Sequence, residues 1–162
     1  MSAAEVAPAG PEQHGTWRAL RLRALQTDPE AFGSTYAQVL ARDGEEYWRG
    51  VLASPGRCFL ARIDGAAIGM ARILPGDAED APAEIISVWV DPQARGAGAG
   101  RALIDACIGW ARVHRAGTAV RLHVVETNTA ARRLYEGCGF TVVGREGHEL
   151  VLELGPPPPS EV

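Results

Sequence analysis

The sequence predicts a single mixed α/β domain, on three observations. Its 162 residues are enough for one ordinary domain with a real core, and its 46% apolar and 22% charged residues are near globular averages. Helix-period segments come first, then β-branched runs, then a strand–helix–strand–helix–strand order. Only one strand–helix–strand unit is present, between 84–90 and 120–125. Such a unit crosses over right-handed, and having one of them disfavours a doubly wound sheet.

The elements follow in order. Residues 1–15 are rich in Ala, Pro and Gly and read as a flexible arm or a weak first strand, since Pro8, Gly10 and Pro11 interrupt pairing. Thr16 is placed to cap a helix from Trp17, with Leu20, Leu22 and Leu25 mostly on one face. Asp28-Pro29-Glu30 reads as a second short helix start, with proline at its first position. Asp43 and Glu46 have capping-box spacing ahead of Trp48, Val51 and Leu52, which sets a third helix. Residues 58–63 and 66–74 read as a hairpin turning at Asp64-Gly65. Pro75 to Pro82 is an acidic loop, and Glu84 to Val90 is an apolar central strand. A glycine-rich turn leads into a helix ending near Arg115. Strand 120–125 and a helix from Thr129 to about Glu136 follow, then a hairpin of 140–143 and 149–154. Residues 16–155 form the domain body. Residues 156–162, with four consecutive prolines, read as a disordered tail.

Composition excludes several classes. A formal charge of −4, with no dense basic run, gives no footprint for nucleic acid. All 16 basic residues are arginine. Cys58, Cys107 and Cys138 are an odd number without CxxC spacing, so neither a disulfide framework nor a metal site is suggested. Met1 to Gly15 lacks the pattern of a signal peptide, and no apolar stretch approaches the ~20 residues of a membrane span. The expectation is a cytoplasmic protein without membrane partners. A homodimer stays open.

The decisive segment runs from Asp91 to Arg101: DPQARGAGAGR. It leaves an apolar strand and enters a helix, where free backbone N–H groups and the helix dipole favour anions. Glycines at 96, 98 and 100 remove the Cβ atoms that would hold a pyrophosphate away, and Arg95 and Arg101 add positive charge. A dinucleotide GxGxxG fails because position 103 is Leu103, and a P-loop fails because the chain has no lysine. What remains is Arg-x-x-Gly-x-Gly, at 95, 98 and 100.

That pattern, in Val88-Trp89-Val90-Asp91-Pro92 through Gly100-Arg101-Ala102-Leu103, resembles the acetyl-CoA signature of the GNAT superfamily of N-acetyltransferases, bacterial type. A second block, from Asn128-Thr129-Ala130-Ala131 to Leu134-Tyr135-Glu136-Gly137-Cys138-Gly139-Phe140, resembles the superfamily's later motif, one helix and one strand downstream. The resemblance covers 16–154. It implies the GNAT fold, a mostly antiparallel splayed central sheet flanked by helices, with acetyl-CoA as co-substrate. It also implies that main-chain groups near Val88 and Val90 hold the cofactor arm and polarise the thioester, in an oxyanion-type contact. By the same resemblance Asn128 binds the arm and Tyr135 protonates the departing thiolate. The two are seven residues apart, two helical turns, so they point roughly the same way. A phenol of ordinary pKa is protonated at neutral pH and can donate. Arg132 and Arg133 either reach phosphate or form the wet face of their helix.

Attack needs a neutral amine. Glu84 stands eleven residues before Arg95, a spacing that resembles the catalytic glutamate of histone-acetylating members. The rival proton acceptors are His123 on the strand 120–125 and an ordered water. Asp77, Glu79 and Asp80 could attract a cationic amine or be ordinary loop charges. Cys107 and Cys138 lack triad-like partners and read as core. The implied reaction is direct acetyl transfer to a primary amine of a small molecule or peptide. Acetylation of protein N-termini and a non-catalytic acyl-CoA-binding module are the alternatives.

Overall fold

A computed structural model describes residues 3–158 of the chain. Seven strands form one open sheet in the order β1-β2-β3-β4-β5-β7-β6. They are β1 (Glu5–Ala9), β2 (Arg57–Ile63), β3 (Ala66–Leu74), β4 (Ala83–Val90), β5 (Val120–Val125), β6 (Thr141–Glu146) and β7 (Glu149–Leu154). All neighbours are antiparallel except β4 and β5. The helices are α1 (His14–Thr27), α2 (Tyr36–Leu40), α3 (Glu45–Ala53), α4 (Ala99–His114) and α5 (Thr129–Gly137). None of the described helices is long and apolar enough to cross a membrane.

Two cores sit on opposite faces of the sheet. On one, Leu103, Ile104 and Cys107 of α4 pack with Ile85, Leu122, Val124 and Leu152. On the other, Trp17, Leu20 and Leu25 of α1 and Trp48 of α3 pack with Leu60, Met70 and Trp89. Strand residues alternate between the faces, so Ile85 and Trp89, four apart, would share one, but the register shift in β4 between them reverses the phase and they serve different cores.

Several expectations are corrected. Residues 5–9 are a strand, with Pro8 opposite Phe59. An edge strand needs donors on one side only, so a proline is tolerated there. Helix α1 starts at His14, after a 3₁₀ turn at Pro11–Gln13, which leaves Thr16 inside the helix rather than capping it. Asp28-Pro29-Glu30 opens a single 3₁₀ turn, Pro29–Ala31, and Asp28 makes no cap bond. Gly44 precedes α3 in place of Asp43, whose carboxylate accepts from Arg18 and from the Trp48 indole, each at 2.7 Å. The short helix α2 was not anticipated, although its signal is present: Thr35 Oγ1 accepts from the Gln38 N–H while the Gln38 side chain returns to the Thr35 N–H. Strand β6 runs from Thr141 to Glu146, whereas Phe140 is buried in the core. Residues 155–158 form neither helix nor strand, and 159–162 of the expected tail lie outside the described residues.

Candidate active site

The site begins with a fault in the sheet. Met70 pairs with Trp89 and Arg72 with Ile86, so β4 carries one residue more than β3 over that interval. Ser87 takes up the extra residue at φ 58°, a left-handed conformation rare outside glycine. On its other side β4 pairs with β5 only at Ala83–Val120 and Glu84–Arg121. Beyond Glu84 the two parallel strands separate and β4 has an open edge.

A cleft of about 650 Å³ fills the gap. Its walls include Val88, Val90, Arg95, Gly96, Gly98, Gly100, Arg101, Asn128 and Tyr135. Nine of the ten residues singled out for the site therefore come together; Glu84 is the exception. Both Val124 and His123 line the cleft. Adjacent strand residues point to opposite faces, and Val124 belongs to the α4-side core, so the cleft passes through the sheet from one face to the other.

One end is built from backbone. Gly98 precedes α4 at φ 80°, a left-handed conformation that costs an L-residue about 1–2 kcal/mol. A Cβ at Gly96 or Gly98 would meet nothing within 4 Å, so space is open beside both. Gly100 has a different reason for being small: a Cβ there would lie 3.0 Å from Leu134 of α5. The first N–H groups of α4 have no intrahelical acceptor, and the ladder starts with the Ala102 N–H on the Gly98 carbonyl. Open space, free donors and glycine at the closest points suit an anion such as a pyrophosphate. Asp91 anchors the turn, accepting from the Gln93 N–H at 3.0 Å and pairing with Arg23 of α1. The Gln93 N–H foremost, then Arg23, holds its carboxyl below the usual range.

Arg95 is not turned toward that space. Its Nη2 donates to Asp28 at 2.9 Å and its Nε to the Val90 carbonyl at 3.1 Å. Asp28 also accepts from the Trp89 indole at 2.9 Å, so one carboxylate ties the end of α1 to β4 and the glycine turn. Arg101 lies 3.8 Å from Asp105 along its own helix. Arg132 pairs with Glu136 at 3.2 Å, and neither it nor Arg133 is part of the cleft wall.

Asn128 begins α5, and its Oδ1 accepts from the Ala131 N–H at 3.2 Å, which leaves its amide nitrogen as the donor at the cleft wall. Tyr135 is 7% exposed, with Phe140 against its ring edge. Burial, foremost, and then the neighbouring Cys138 and Cys107 thiols push its phenol well above the ordinary range. Burial also raises Cys107, Cys138 and Cys58, the last to about 11, so these are thiols rather than thiolates near neutral pH.

Glu84 lies on the α1 side of the sheet, in a second pocket of about 510 Å³ with Ser54, Arg72, Asp77 and Arg121. Arg72 donates to Ser54 at 2.5 Å, and Arg121 pairs with Glu153 at 2.6 Å. Of the acidic loop residues, Asp77 lines this pocket, whereas Glu79 and Asp80 do not. Sequence reasoning missed how the loop is held. Arg115 Nη2 lies 2.8–3.0 Å from the carbonyls of Ala78, Glu79 and Ala81. It also missed Glu146. His123, in the wall of the cleft, has Nδ1 3.3 Å from Glu84 of the second pocket and Nε2 3.0 Å from Glu146.

A family model described as "Acetyltransferase (GNAT) family" matches residues 19–140. Mycothiol acetyltransferase from Beutenbergia cavernae is 36% identical over 132 residues, 82% of this chain and 42% of that protein. The protein of the same name from Thermobispora bispora is 40% identical over 129 residues, 77% of this chain and 42% of its own length. The chain thus spans about two fifths of the length of the curated relatives it matches. Among solved structures, yncA from Salmonella typhimurium, a putative acetyltransferase with its cofactor acetyl-CoA, superposes at TM-score 0.69 and 20% identity, over 99% of this chain and 98% of that one.

Proposed function

The chain belongs to the GNAT acetyltransferase family, and from that premise we propose that it moves an acetyl group from acetyl-CoA to a primary amine by direct attack. The observation that carries this reading is the cleft through the sheet, whose wall holds both an anion cradle and His123, the ring that touches Glu84 of the neighbouring pocket. Acetyl-CoA, the co-substrate of the family, supplies an acetyl group activated as a thioester and a thiolate leaving group.

The protein's own groups divide the work. The N–H groups of residues 99–101, with Arg95 and Arg101 nearby, hold the pyrophosphate. The Asn128 amide donates to the pantetheine arm. Main-chain groups near Val88 and Val90, on the edge that β5 has left, stabilise charge developing on the thioester oxygen, a contact worth a few kcal/mol in comparable sites. Tyr135 donates its hydroxyl proton toward the departing sulfur. A phenol raised by burial stays protonated through the whole assay range, so Tyr135 acts as a standing donor and sets no alkaline limb below about pH 10. Glu84 supplies the carboxylate of the acceptor side.

The relatives' names put an acceptor related to mycothiol first among candidates. Small amines and peptides with free α-amines follow, because an α-amine of pKa ~8 is about one-tenth neutral at pH 7, whereas an alkyl amine of pKa ~10.4 is neutral in well under a thousandth. The test is a thermal shift with acetyl-CoA, NAD and ATP, followed by thiol release across an acceptor panel. A selective shift with acetyl-CoA and amine-dependent thiol release are expected. An equal shift with NAD would overturn the cradle, and binding without turnover of any amine would leave a non-catalytic acyl-CoA-binding module.

A further inference from the structure

Six ionisable side chains line the cleft: Asp28, Glu30, Arg95, Arg101, His123 and Tyr135. A guanidinium offers no acceptor nitrogen, and burial keeps the Tyr135 phenol protonated. Asp28 is engaged by both Trp89 and Arg95. Glu30 is an exposed residue of the turn after α1. His123 is the lining group that faces the acceptor side and can still receive a proton. Glu84 touches the ring, not the cleft.

Resting on the amine-acetyltransferase reading, we infer that His123 takes the acceptor's proton, while Glu84 and Glu146 are positioning residues that hold its ring from either edge. The side chain of His123 is 22% exposed, so the ring is sheltered yet reachable. A neutral imidazole has one N–H, and two carboxylates flank it. Given to Glu146, the shorter contact, that N–H leaves Nδ1 with one proton position open, and the Glu84 carboxylate 3.3 Å away accepts from Nδ1 once that proton arrives. Three strands bring these groups together: Glu84 from β4, His123 from β5 and Glu146 from β6. On the ring's own face Arg121 is locked to Glu153 of β7, while Arg145 of β6, in register with Leu150 and Val124 of the opposite face, is paired with Glu126. The β7 residue opposite His123 is Val151, which is apolar. Neither arginine neighbour is therefore free to displace the two carboxylates.

The proton count closes. An acceptor R–NH₃⁺ gives one proton to His123 Nδ1 and becomes R–NH₂. The nitrogen forms the new C–N bond and the C–S bond breaks. A second nitrogen proton balances the one the sulfur receives through Tyr135. The products are the acetamide R–NH–COCH₃, free thiol, and one proton that leaves His123 past Glu84 into the second pocket. Redox chemistry plays no part.

The test uses the full chain and the fastest panel amine. His123→Gln should lower kcat by roughly 10²–10³, within the span of a positioned base, while the Kd for acetyl-CoA, measured by calorimetry, stays within about twofold. The defect should shrink as pH rises toward the acceptor's own pKa. Glu84→Gln and Glu146→Gln should each lose roughly tenfold or less. A Glu84→Gln loss as large as that of His123→Gln, or a pH-independent defect in His123→Gln, would overturn the assignment. An independent readout needs no turnover: ¹⁵N NMR of the imidazole nitrogens, with His123→Gln identifying the signals. The neutral ring should carry its proton on Nε2, and Glu146→Gln should shift proton population to Nδ1. A wild-type ring protonated at Nδ1 would overturn the assignment whether or not any amine reacts. Failure of every amine, with acetyl-CoA still bound, would count against the enzymatic reading and leave the NMR result to decide the ring.

Discussion

The cleft and the pocket beside it, the two ends of the proposed site, are made of different material. The cofactor end is backbone: a left-handed Gly98, the free N–H groups of α4 and an edge of β4 abandoned by its neighbour. Most of it lies within residues 88–101, with Asn128 and Tyr135 one helix and one strand further on. The acceptor end, as we propose it, is the second pocket and the His123 ring beside it, and it is side chain: Ser54, Arg72, Asp77, Glu84, Arg121, His123 and Glu146, drawn from six parts of the chain. Backbone recognition suits a ligand that never changes, because it tolerates little variation and needs glycine. Side-chain recognition can be rebuilt residue by residue around a different amine. A family with one donor and many acceptors would be expected to divide its site in this way.

The largest expected effect tests whether the cofactor end does chemistry or only binds. Tyr135→Phe keeps the ring against Phe140 and deletes the hydroxyl proposed as the proton donor. Turnover should fall by roughly 10²–10⁴ with acetyl-CoA affinity unchanged, measured by stopped-assay kinetics and calorimetry. Near-normal turnover at all pH values would make the cofactor end a binding surface alone.

Next is the claim that this end is backbone. Gly98→Val adds a branched side chain at φ 80°, where strain alone costs about 1–3 kcal/mol, and fills open space in the cradle. Acetyl-CoA affinity should drop roughly 10–100-fold. Gly98→Asn separates the two causes, since Asn tolerates the left-handed region while still occupying the space. If Asn restored full affinity, the glycine would be present for its conformation and not for close approach.

This division also explains what could be read from the sequence. Glycines at 96, 98 and 100 in a strand-to-helix turn are a local pattern with a local cause, whereas Val88, Val90, Asn128 and Tyr135 were reached through the family resemblance. Nine of the ten expected site residues line one cleft. Glu84 was assigned from spacing alone, and spacing cannot say which wall a side chain joins once β4 bulges at Ser87 and leaves β5. Glu146 was out of reach because its meeting with His123 depends on β7 inserting between β5 and β6. Asp28 and Asp43 were read as caps, the usual use of Asp before a helix. Both were taken instead by tertiary partners, an indole and an arginine in each case.

The acceptor end can be loosened without touching a lining residue. Arg115→Ala removes the guanidinium that gathers the carbonyls of Ala78, Glu79 and Ala81. Hydrogen bonds to a charged group contribute about 1.5–3 kcal/mol, so the loop 75–82 should open and the acceptor KM rise roughly tenfold. Acetyl-CoA affinity should stay put. Hydrogen exchange confined to 75–82 would report the loosening directly, and a parallel loss of acetyl-CoA binding would show that the two ends are not separable.

The smallest effect falls where the ends touch. Asp28 holds the Trp89 indole and Arg95 at once, and Arg95 is the cation best placed to swing toward a pyrophosphate. Binding a phosphate would therefore first cost the Asp28–Arg95 pair. Asp28→Asn keeps an oxygen for the indole and discards the charge. Exposed ion pairs contribute about 0.2–1 kcal/mol, so releasing Arg95 should tighten acetyl-CoA by roughly 1.5- to 5-fold, and more at low salt than at high. The sign carries the argument. Weaker binding would mean that Asp28 orients Arg95 for the cofactor instead of competing with it, so that one side chain of the cofactor end works only as held from α1 across the mouth of the cleft.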